Sequence, residues 1–128
     1  SADMPEKKRI LIVEDNPLSL KLERGLLEYA GYGVIAAGSA ESGLMLAKEL
    51  LPDLILLDLR LPGISGDQAF RMLRADEKTK NIPVIFVTAS ATEEEKKTLA
   101  ACHCRIITKP INTRTFAREI EEVLNAPG

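Results

Sequence analysis

The chain has 128 residues, of which 45% are hydrophobic and 28% are charged; this length fits one domain, and the composition excludes a disordered, collagen-like or disulfide-stapled protein. Seventeen basic residues against 19 acidic ones leave a formal net charge of −2, which excludes a global basic field of the kind that binds nucleic acid or an anionic membrane directly. Because no apolar run is long enough to span a membrane and no signal peptide is recognisable, we expect a cytoplasmic protein.

The first seven residues are polar and are predicted to lie outside the fold, as a disordered lead or a remnant of cloning. Residues 8–126 are predicted to form the folded domain, with no output domain attached. The first strand is expected at residues 10–13, which are apolar on both faces, as in a parallel sheet that is covered on both sides. A helix is then predicted from Asn16 as cap and Pro17 at the first helical position. Its expected buried stripe is Leu18, Leu22, Leu26 and Tyr29.

A weaker strand fits residues 33–37, and Ser39 is expected to cap a second helix that Pro52 stops. The inward stripe of this helix is predicted to be Ala40, Leu44, Ala47 and Leu51. The next strand, at residues 54–57, is again a continuous apolar run, and a third helix is expected to follow Gly66. Its inward residues are predicted to be Ala69, Phe70 and Leu73.

The second half of the chain repeats the alternation, with a strong strand predicted at residues 84–87 and a fourth helix at about 92–101. That helix offers mainly Leu99 to a core, and its Glu-Lys run is expected to form a solvated face. A weaker strand fits residues 105–108, and the last helix is predicted to be capped by Asn112 or Thr113. Its apolar positions are Phe116, Ile120, Val123 and Leu124. Five alternating strands and helices predict an α/β fold with a parallel sheet and helices on both faces.

The two cysteines, Cys102 and Cys104, are two residues apart, which fits neither a disulfide framework nor a four-ligand zinc site, so both are expected to be reduced thiols. A metal site that includes His103 is disfavoured because no fourth ligand is evident. Cys102 is expected to occupy a turn position that glycine would fill at less steric cost.

Polar residues follow the carboxyl ends of four predicted strands, where ligands bind in open α/β sheets. They are Glu14-Asp15, Asp58, Thr88 and Lys109-Pro110. An acidic residue in such a place is often only a turn former or a helix cap, but three carboxylates in one crevice need a cation, and the site suits Mg²⁺. A lysine beside that cation indicates a further anion, a phosphoryl group that the metal, Lys109 and Thr88 would share. A carboxylate is then the expected nucleophile.

In this order, Glu14-Asp15, the segment Asp-Leu-Arg-Leu-Pro-Gly-Ile-Ser-Gly at 58–66, Thr88-Ala89 and Lys109-Pro110 resemble the receiver domain of two-component response regulators. The resemblance covers about residues 8–125. It implies a doubly wound, flavodoxin-like three-layer sandwich with five parallel strands in the order 2-1-3-4-5. It also implies that Asp58 accepts a phosphoryl group from the phosphohistidine of a sensor histidine kinase or a histidine phosphotransfer protein.

By the same resemblance, Mg²⁺ is expected to be held by the side chains of Asp15 and Asp58, by Glu14 directly or through a water molecule, and by the backbone carbonyl of Arg60. Such a domain is not an ordinary enzyme, but a phosphoacceptor that assists its own phosphorylation and dephosphorylation. Lys109 and Thr88 are expected to stabilise the phosphoryl group.

The expected switch comprises Thr88, Ala89 and Ile106, and the peptide bond before Pro110 is expected to be cis. Receivers usually carry Tyr or Phe at the place of Ile106. We therefore expect the signal to pass through the loop after Thr88 and the weakly packed fourth helix. The guanidinium of Arg60 is expected either to pair with the acidic cluster or to lie in solvent.

Two other functions stay open as alternatives. A pseudo-receiver that binds partners without phosphorylation is disfavoured because the aspartate, the lysine and the acidic pair are all present. An aspartyl phosphohydrolase is disfavoured because its usual Asp-x-Asp signature is replaced by residues 58–60, Asp-Leu-Arg. The downstream partner and dimerisation on phosphorylation are left open; no direct contact with nucleic acid or membrane is expected.

Overall fold

The computed structural model describes residues 6–126. The predicted lead at residues 1–7 therefore falls largely outside the described residues. The five strands are β1 (Arg9–Val13), β2 (Gly33–Ala37), β3 (Leu54–Leu57), β4 (Val84–Thr88) and β5 (Arg105–Thr108). The five helices are α1 (Pro17–Tyr29), α2 (Ala40–Leu50), α3 (Gly66–Ala75), α4 (Glu93–Ala101) and α5 (Phe116–Leu124).

The strands form one parallel sheet in the order β2-β1-β3-β4-β5, which confirms the predicted fold class. Each face of the sheet carries its own core. On one face, alternate strand residues pack against buried residues of α2, α3 and α4; on the other, they pack against α1 and α5. The strands β1, β3 and β4 are buried almost throughout because both of their faces are covered, as their continuous apolar runs predict.

The first helix begins as predicted, since the side chain of Asn16 accepts hydrogen bonds from the backbone N–H groups of Leu18 and Ser19. The predicted buried stripe, however, holds only at Leu26, which packs against the core, and is wrong at its other three positions. Leu18 is 79% exposed and Tyr29 is 94% exposed, while Glu23 and Leu27 are buried. The buried face of α1 is therefore rotated by part of a turn from the predicted stripe, and it includes the carboxyl group of Glu23.

Three helix ends also differ in detail from the prediction. Helix α2 ends at Leu50, and Leu51 takes a left-handed conformation, with φ at 48°, that turns its side chain outward. The N-cap of α5 is Thr115, because the side chain of Asn112 accepts from the backbone of Arg114 and closes a separate turn first. In the turn after α4, His103 rather than Cys102 has the positive φ, at 58°.

Candidate functional site

The carboxyl ends of β1, β3 and β5 bring four of the predicted site residues together. Val13 is paired with Leu57 in the sheet, so Glu14 and Asp58 leave adjacent strands side by side. One carboxylate oxygen from each of Glu14, Asp15 and Asp58 lies within 4.8 Å of the others. The ammonium group of Lys109 donates to both Glu14 and Asp58, at 3.0 Å from Oδ2 of Asp58. The site is therefore a cluster of carboxylates closed on one side by a lysine.

Burial and charge act against each other in this cluster. Glu14 and Asp58 are buried, and Asp15 is exposed. Burial raises the pKa of the Glu14 carboxyl above its ordinary value, although the hydrogen bond from Lys109 opposes this change. Burial disfavours the ammonium form of Lys109, but its bonds to the two carboxylates outweigh that cost and raise its pKa. The lysine therefore stays charged near neutral pH.

The three carboxylates fit a hard divalent cation. They offer oxygen ligands only, they are close enough together for one ion to join them, and the exposed Asp15 leaves one side open to water. These are the features that Mg²⁺ sites share. In the part of the chain that the structure describes, no other three His, Cys, Asp or Glu side chains bring their ligand atoms this close together. Cys102, His103 and Cys104 therefore do not form a second group of this kind.

The backbone of α3 packs tightly behind Asp58. Gly66 is the first residue of this helix, and its N–H donates to the carbonyl oxygen of Leu59 at 3.1 Å. A Cβ atom at Gly66 would lie 2.2 Å from the carbonyl oxygen of Asp58 and 2.7 Å from the Cα atom of Leu59. This close approach is available only to glycine, and it holds the loop after β3 against the helix.

The side chain of Arg60 is exposed, as one of the two expectations has it, but it also forms an ion pair that the sequence does not suggest. Its backbone N–H donates to Oδ1 of Asp58 at 2.8 Å, but its guanidinium points away and forms a two-pronged ion pair with Glu95, at 2.9 and 2.5 Å. Glu95 also accepts from the backbone N–H of Thr92 as part of the capping box of α4. The predicted solvated face of α4 thus contains a residue that ties this helix to the loop of the candidate site.

Of the expected switch residues, Thr88 and Ala89 lie at the carboxyl end of β4, whereas Ile106 lies within β5. Thr88 is fully buried at the end of β4, and its hydroxyl donates to the carbonyl oxygen of Ser90 at 3.0 Å, within its own loop. Ala89 is exposed. Ile106 is half-buried and packs against the core on the α4 side of the sheet. The peptide bond between Lys109 and Pro110 is cis.

A groove that the sequence analysis missed opens beside the cluster, and we call it the α1 groove. It has a volume of about 400 Å³. Its apolar lining comes from Leu18, Leu22, Ala89, Pro110 and Ile111, and its charged groups are Lys109 and Glu23. The helical spacing of Leu18 and Leu22 predicts a place in the core, but both leucines are exposed. A signal for Glu23 was present, since it falls on the second helical stripe of α1, between Leu20 and Leu27.

Glu23 is 2% exposed and lines the groove together with Lys109. Burial, followed by repulsion from Glu14, raises its pKa to about 7. Because the folded state holds this proton more tightly than the unfolded state, stability is highest below the ordinary glutamate pKa and falls as the pH rises to about 7.

We therefore expect Glu23→Gln, which mimics the protonated acid, to match the parent protein in stability at pH 4.5 and to exceed it by on the order of 3 kcal/mol at pH 8. Urea unfolding at the two pH values measures this difference. Glu28→Gln, an exposed change on the same helix, is the control and should show no such dependence on pH. Equal stability of Glu23→Gln and the parent at pH 8 would contradict the expectation.

Residues 10–121 match the family model described as the response regulator receiver domain. Among curated proteins, the polar-differentiation response regulator DivK of Brucella ovis is 42% identical over 118 residues, which are 91% of this chain and 96% of that protein. DivK of Brucella anthropi is 40% identical over the same shares.

Solved structures give the same result. A CheY-like receiver domain from Methanospirillum hungatei superposes with a TM-score of 0.84 at 30% identity, covering 94% of this chain and 95% of that one. The receiver domain of a sensor histidine kinase from Pseudomonas aeruginosa, with a magnesium ion coordinated in its active site cleft, has a TM-score of 0.85 at 27% identity, covering 94% of this chain and all of that one.

Among the helices within residues 6–126, none has the length and the apolar character that a membrane span requires.

Proposed function

Because the chain belongs to the response regulator receiver family, we propose that it is the receiver of a two-component phosphorelay and accepts a phosphoryl group on Asp58. The observation that carries the proposal is the pairing of Asp58 with Lys109 inside a carboxylate cluster that can hold a divalent cation. We further propose that the receiver spans residues 8–126, works in the cytoplasm, and takes its phosphoryl group from a sensor histidine kinase or a histidine phosphotransfer protein.

In the proposed reaction, a carboxylate oxygen of Asp58 attacks the phosphorus atom of the donor's phosphohistidine. The phosphorus–nitrogen bond breaks, its electrons stay on the imidazole ring, and the ring takes up a proton from solvent as it leaves. The product is an acyl phosphate on Asp58. The ammonium of Lys109 is 3.0 Å from Asp58 Oδ2 and can balance the charge that moves onto the phosphoryl oxygens.

Glu14, Asp15 and Asp58 would hold Mg²⁺, together with the backbone carbonyl of Arg60. When bound, the ion supplies a Lewis-acid charge that stabilises the transferring phosphoryl oxygens. Lys109 donates to Glu14 and Asp58, so its charge offsets the repulsion between these two carboxylates. The same residues can orient a water molecule for the later hydrolysis of the acyl phosphate, which is why the protein assists its own dephosphorylation.

Phosphorylation adds about 1.5 to 2 negative charges and three acceptor oxygens at Asp58. The hydroxyl of Thr88, now bonded to Ser90, is placed at the end of the adjacent strand and can turn to the new acceptor, drawing Ala89 inward. A guanidinium that leaves Glu95 for the phosphoryl group would release the first turn of α4. Ile106 packs in the interior and would follow these movements. We propose that partners read this change in the loop after β4 and in α4.

The test is the Mg²⁺-dependent incorporation of phosphate from acetyl phosphate, with Asp58→Asn as the matched variant, since it keeps the size and removes the nucleophile. We expect one phosphate per chain in the parent protein and none in Asp58→Asn, by intact-protein mass spectrometry. Absence of phosphate from the parent protein would favour the pseudo-receiver, and rapid hydrolysis of unrelated phosphate esters would favour an aspartyl phosphohydrolase.

A further inference from the structure

Another pocket lies at the opposite end of the sheet from Asp58, beside the turn between α4 and β5. We call it the thiol pocket, and it has a volume of about 370 Å³. Its thiols and two of its charged groups come from Cys102, Cys104, Arg74 and Arg105. Asp58 follows the carboxyl end of β3, whereas the two cysteines precede the amino end of β5 in the same parallel sheet. The thiol pocket is therefore separate from the carboxylate cluster.

The two thiols differ in access but belong to one tight turn. Cys102 is exposed and Cys104 is half-buried, with its Sγ atom 3.8 Å from the carbonyl oxygen of Cys102. His103, between them, has a positive φ of 58°. A residue with left-handed helical geometry brings the Cα atoms of its two neighbours to about 5.4 Å, whereas an extended residue holds them about 7 Å apart. The shorter separation is within the range that a disulfide bond accepts.

The uncompensated charge of the thiol pocket belongs to Arg74. Arg105 is paired with Glu122 at 2.9 Å, but Arg74 takes part in none of the ion pairs between side chains within residues 6–126. Its guanidinium donates to the carbonyl oxygen of Ile82 and lies over the ring of Phe70, and these neutral partners hold it in the pocket. A cation near a thiol favours the nucleophilic thiolate and attracts a reagent that carries carboxylate groups.

We propose that the thiol pocket is a site of thiol–disulfide exchange, where an anionic low-molecular-weight disulfide such as glutathione disulfide converts Cys102 and Cys104 into an intramolecular disulfide. The thiolate of Cys102 attacks one sulfur atom of the reagent, and one glutathione leaves as its thiolate. The thiolate of Cys104 then attacks the Cys102 sulfur atom of the mixed disulfide and displaces the second glutathione thiolate. Both protein thiols lose their protons to solvent, the two cysteine sulfurs are oxidised, and glutathione disulfide is reduced to two glutathione molecules.

The difference in access between the thiols determines this order of steps. Cys102 is exposed to an external reagent, whereas burial raises the pKa of the Cys104 thiol and slows its direct reaction. Cys104 acts once the mixed disulfide is beside it in the turn. Because Cys102 is the C-cap of α4 and Cys104 immediately precedes β5, the product ties the end of this helix to the start of the strand. Oxidation would thus act on the helix that we propose partners read.

The test is incubation of the reduced protein with glutathione disulfide, followed by an acid quench and intact-protein mass spectrometry. We expect the final product to be a monomer that has lost two hydrogen atoms. Cys104→Ser should stop instead at a stable adduct with one glutathione. Cys102→Ser, which leaves only the half-buried thiol, should react at least about tenfold more slowly than the parent protein. A parent protein that retains glutathione, stays reduced or forms a covalent dimer would overturn the proposal.

The charge of the reagent provides a second readout. Cystamine is a disulfide with two ammonium groups, and its exchange rate is compared with that of glutathione disulfide at low ionic strength, each divided by the rate for the urea-unfolded protein. We expect the folded parent protein to favour glutathione disulfide by at least about tenfold, and Arg74→Gln to remove most of that preference. Arg71→Gln, an exposed change on the same helix, should keep it. Equal normalised rates for the two reagents with the parent protein would contradict the proposal.

Discussion

Gly66→Ala is expected to destabilise the protein by about 3 kcal/mol or more, because the added methyl group has nowhere to go. Its carbon would lie 2.2 Å from the carbonyl oxygen of Asp58 and 2.7 Å from the Cα atom of Leu59. Both are backbone atoms of the buried start of the loop after β3, so a rotamer change cannot relieve the contact. The helix and the loop must separate, and the hydrogen bond from Gly66 to Leu59 must lengthen.

Urea unfolding of Gly66→Ala against the parent protein measures this cost. The matched control is Gly25→Ala, which makes the same substitution inside α1, where a Cβ atom would have no heavy atom within 4 Å other than those of its own helix backbone and chain neighbours. There alanine should stabilise the protein by about 0.5–1 kcal/mol, because it favours the helix over the unfolded chain. Opposite signs for the two glycines are the expected outcome; a Gly66→Ala protein as stable as the parent would show that the helix can move away freely.

The second large effect is expected from Lys109→Met, which keeps the length of the side chain and removes its charge. Acetyl phosphate should label this variant at a rate at least about 100-fold below that of the parent protein, because the group that balances the phosphoryl charge is lost. The variant also leaves Glu14 and Asp58 buried without their shared donor. Breaking such a pair typically costs about 3–5 kcal/mol.

The pH dependence of Lys109→Met separates charge from packing. Without the ammonium, the pKa of Glu14, which burial already raises, should rise further. An acid whose folded-state pKa is raised stabilises the fold below its unfolded pKa and loses that contribution as the pH increases. The stability deficit of Lys109→Met should therefore shrink from pH 8 to pH 5. Lys21→Met, an exposed change on α1, is the control; a deficit that is constant with pH would mean that lost packing dominates.

The sheet and the composition of the site could be predicted from the sequence because both depend on strong local signals. Runs such as residues 54–57 are apolar without alternation, and they can be accommodated only as strands that are buried on both faces. The polar residues after these runs, Asp58 among them, then fall at one edge of the sheet, and this position does not depend on the side-chain conformations.

The failures share a cause, which is that they depend on contacts between distant parts of the chain. Leu18 and Leu22 have helical spacing, but α1 turns a different stripe toward the sheet, one that includes Glu23. Periodicity cannot choose between two faces when the buried one contains a carboxyl group. The partner of Arg60 is 35 residues away, so its position depends on how α4 packs, and no local pattern in the sequence records it.

The ion pair between Arg60 and Glu95 joins the loop after β3 to the first turn of α4, so the two segments should open together. The same carboxylate that holds Arg60 also accepts the N–H of Thr92, so it closes the first turn of α4 and fastens the loop after β3 at once. Amide protons in both segments should then exchange with solvent through one shared opening event rather than two independent ones. The receiver would carry a small cooperative unit on its surface, held by one carboxylate and separable from the global unfolding of the sheet.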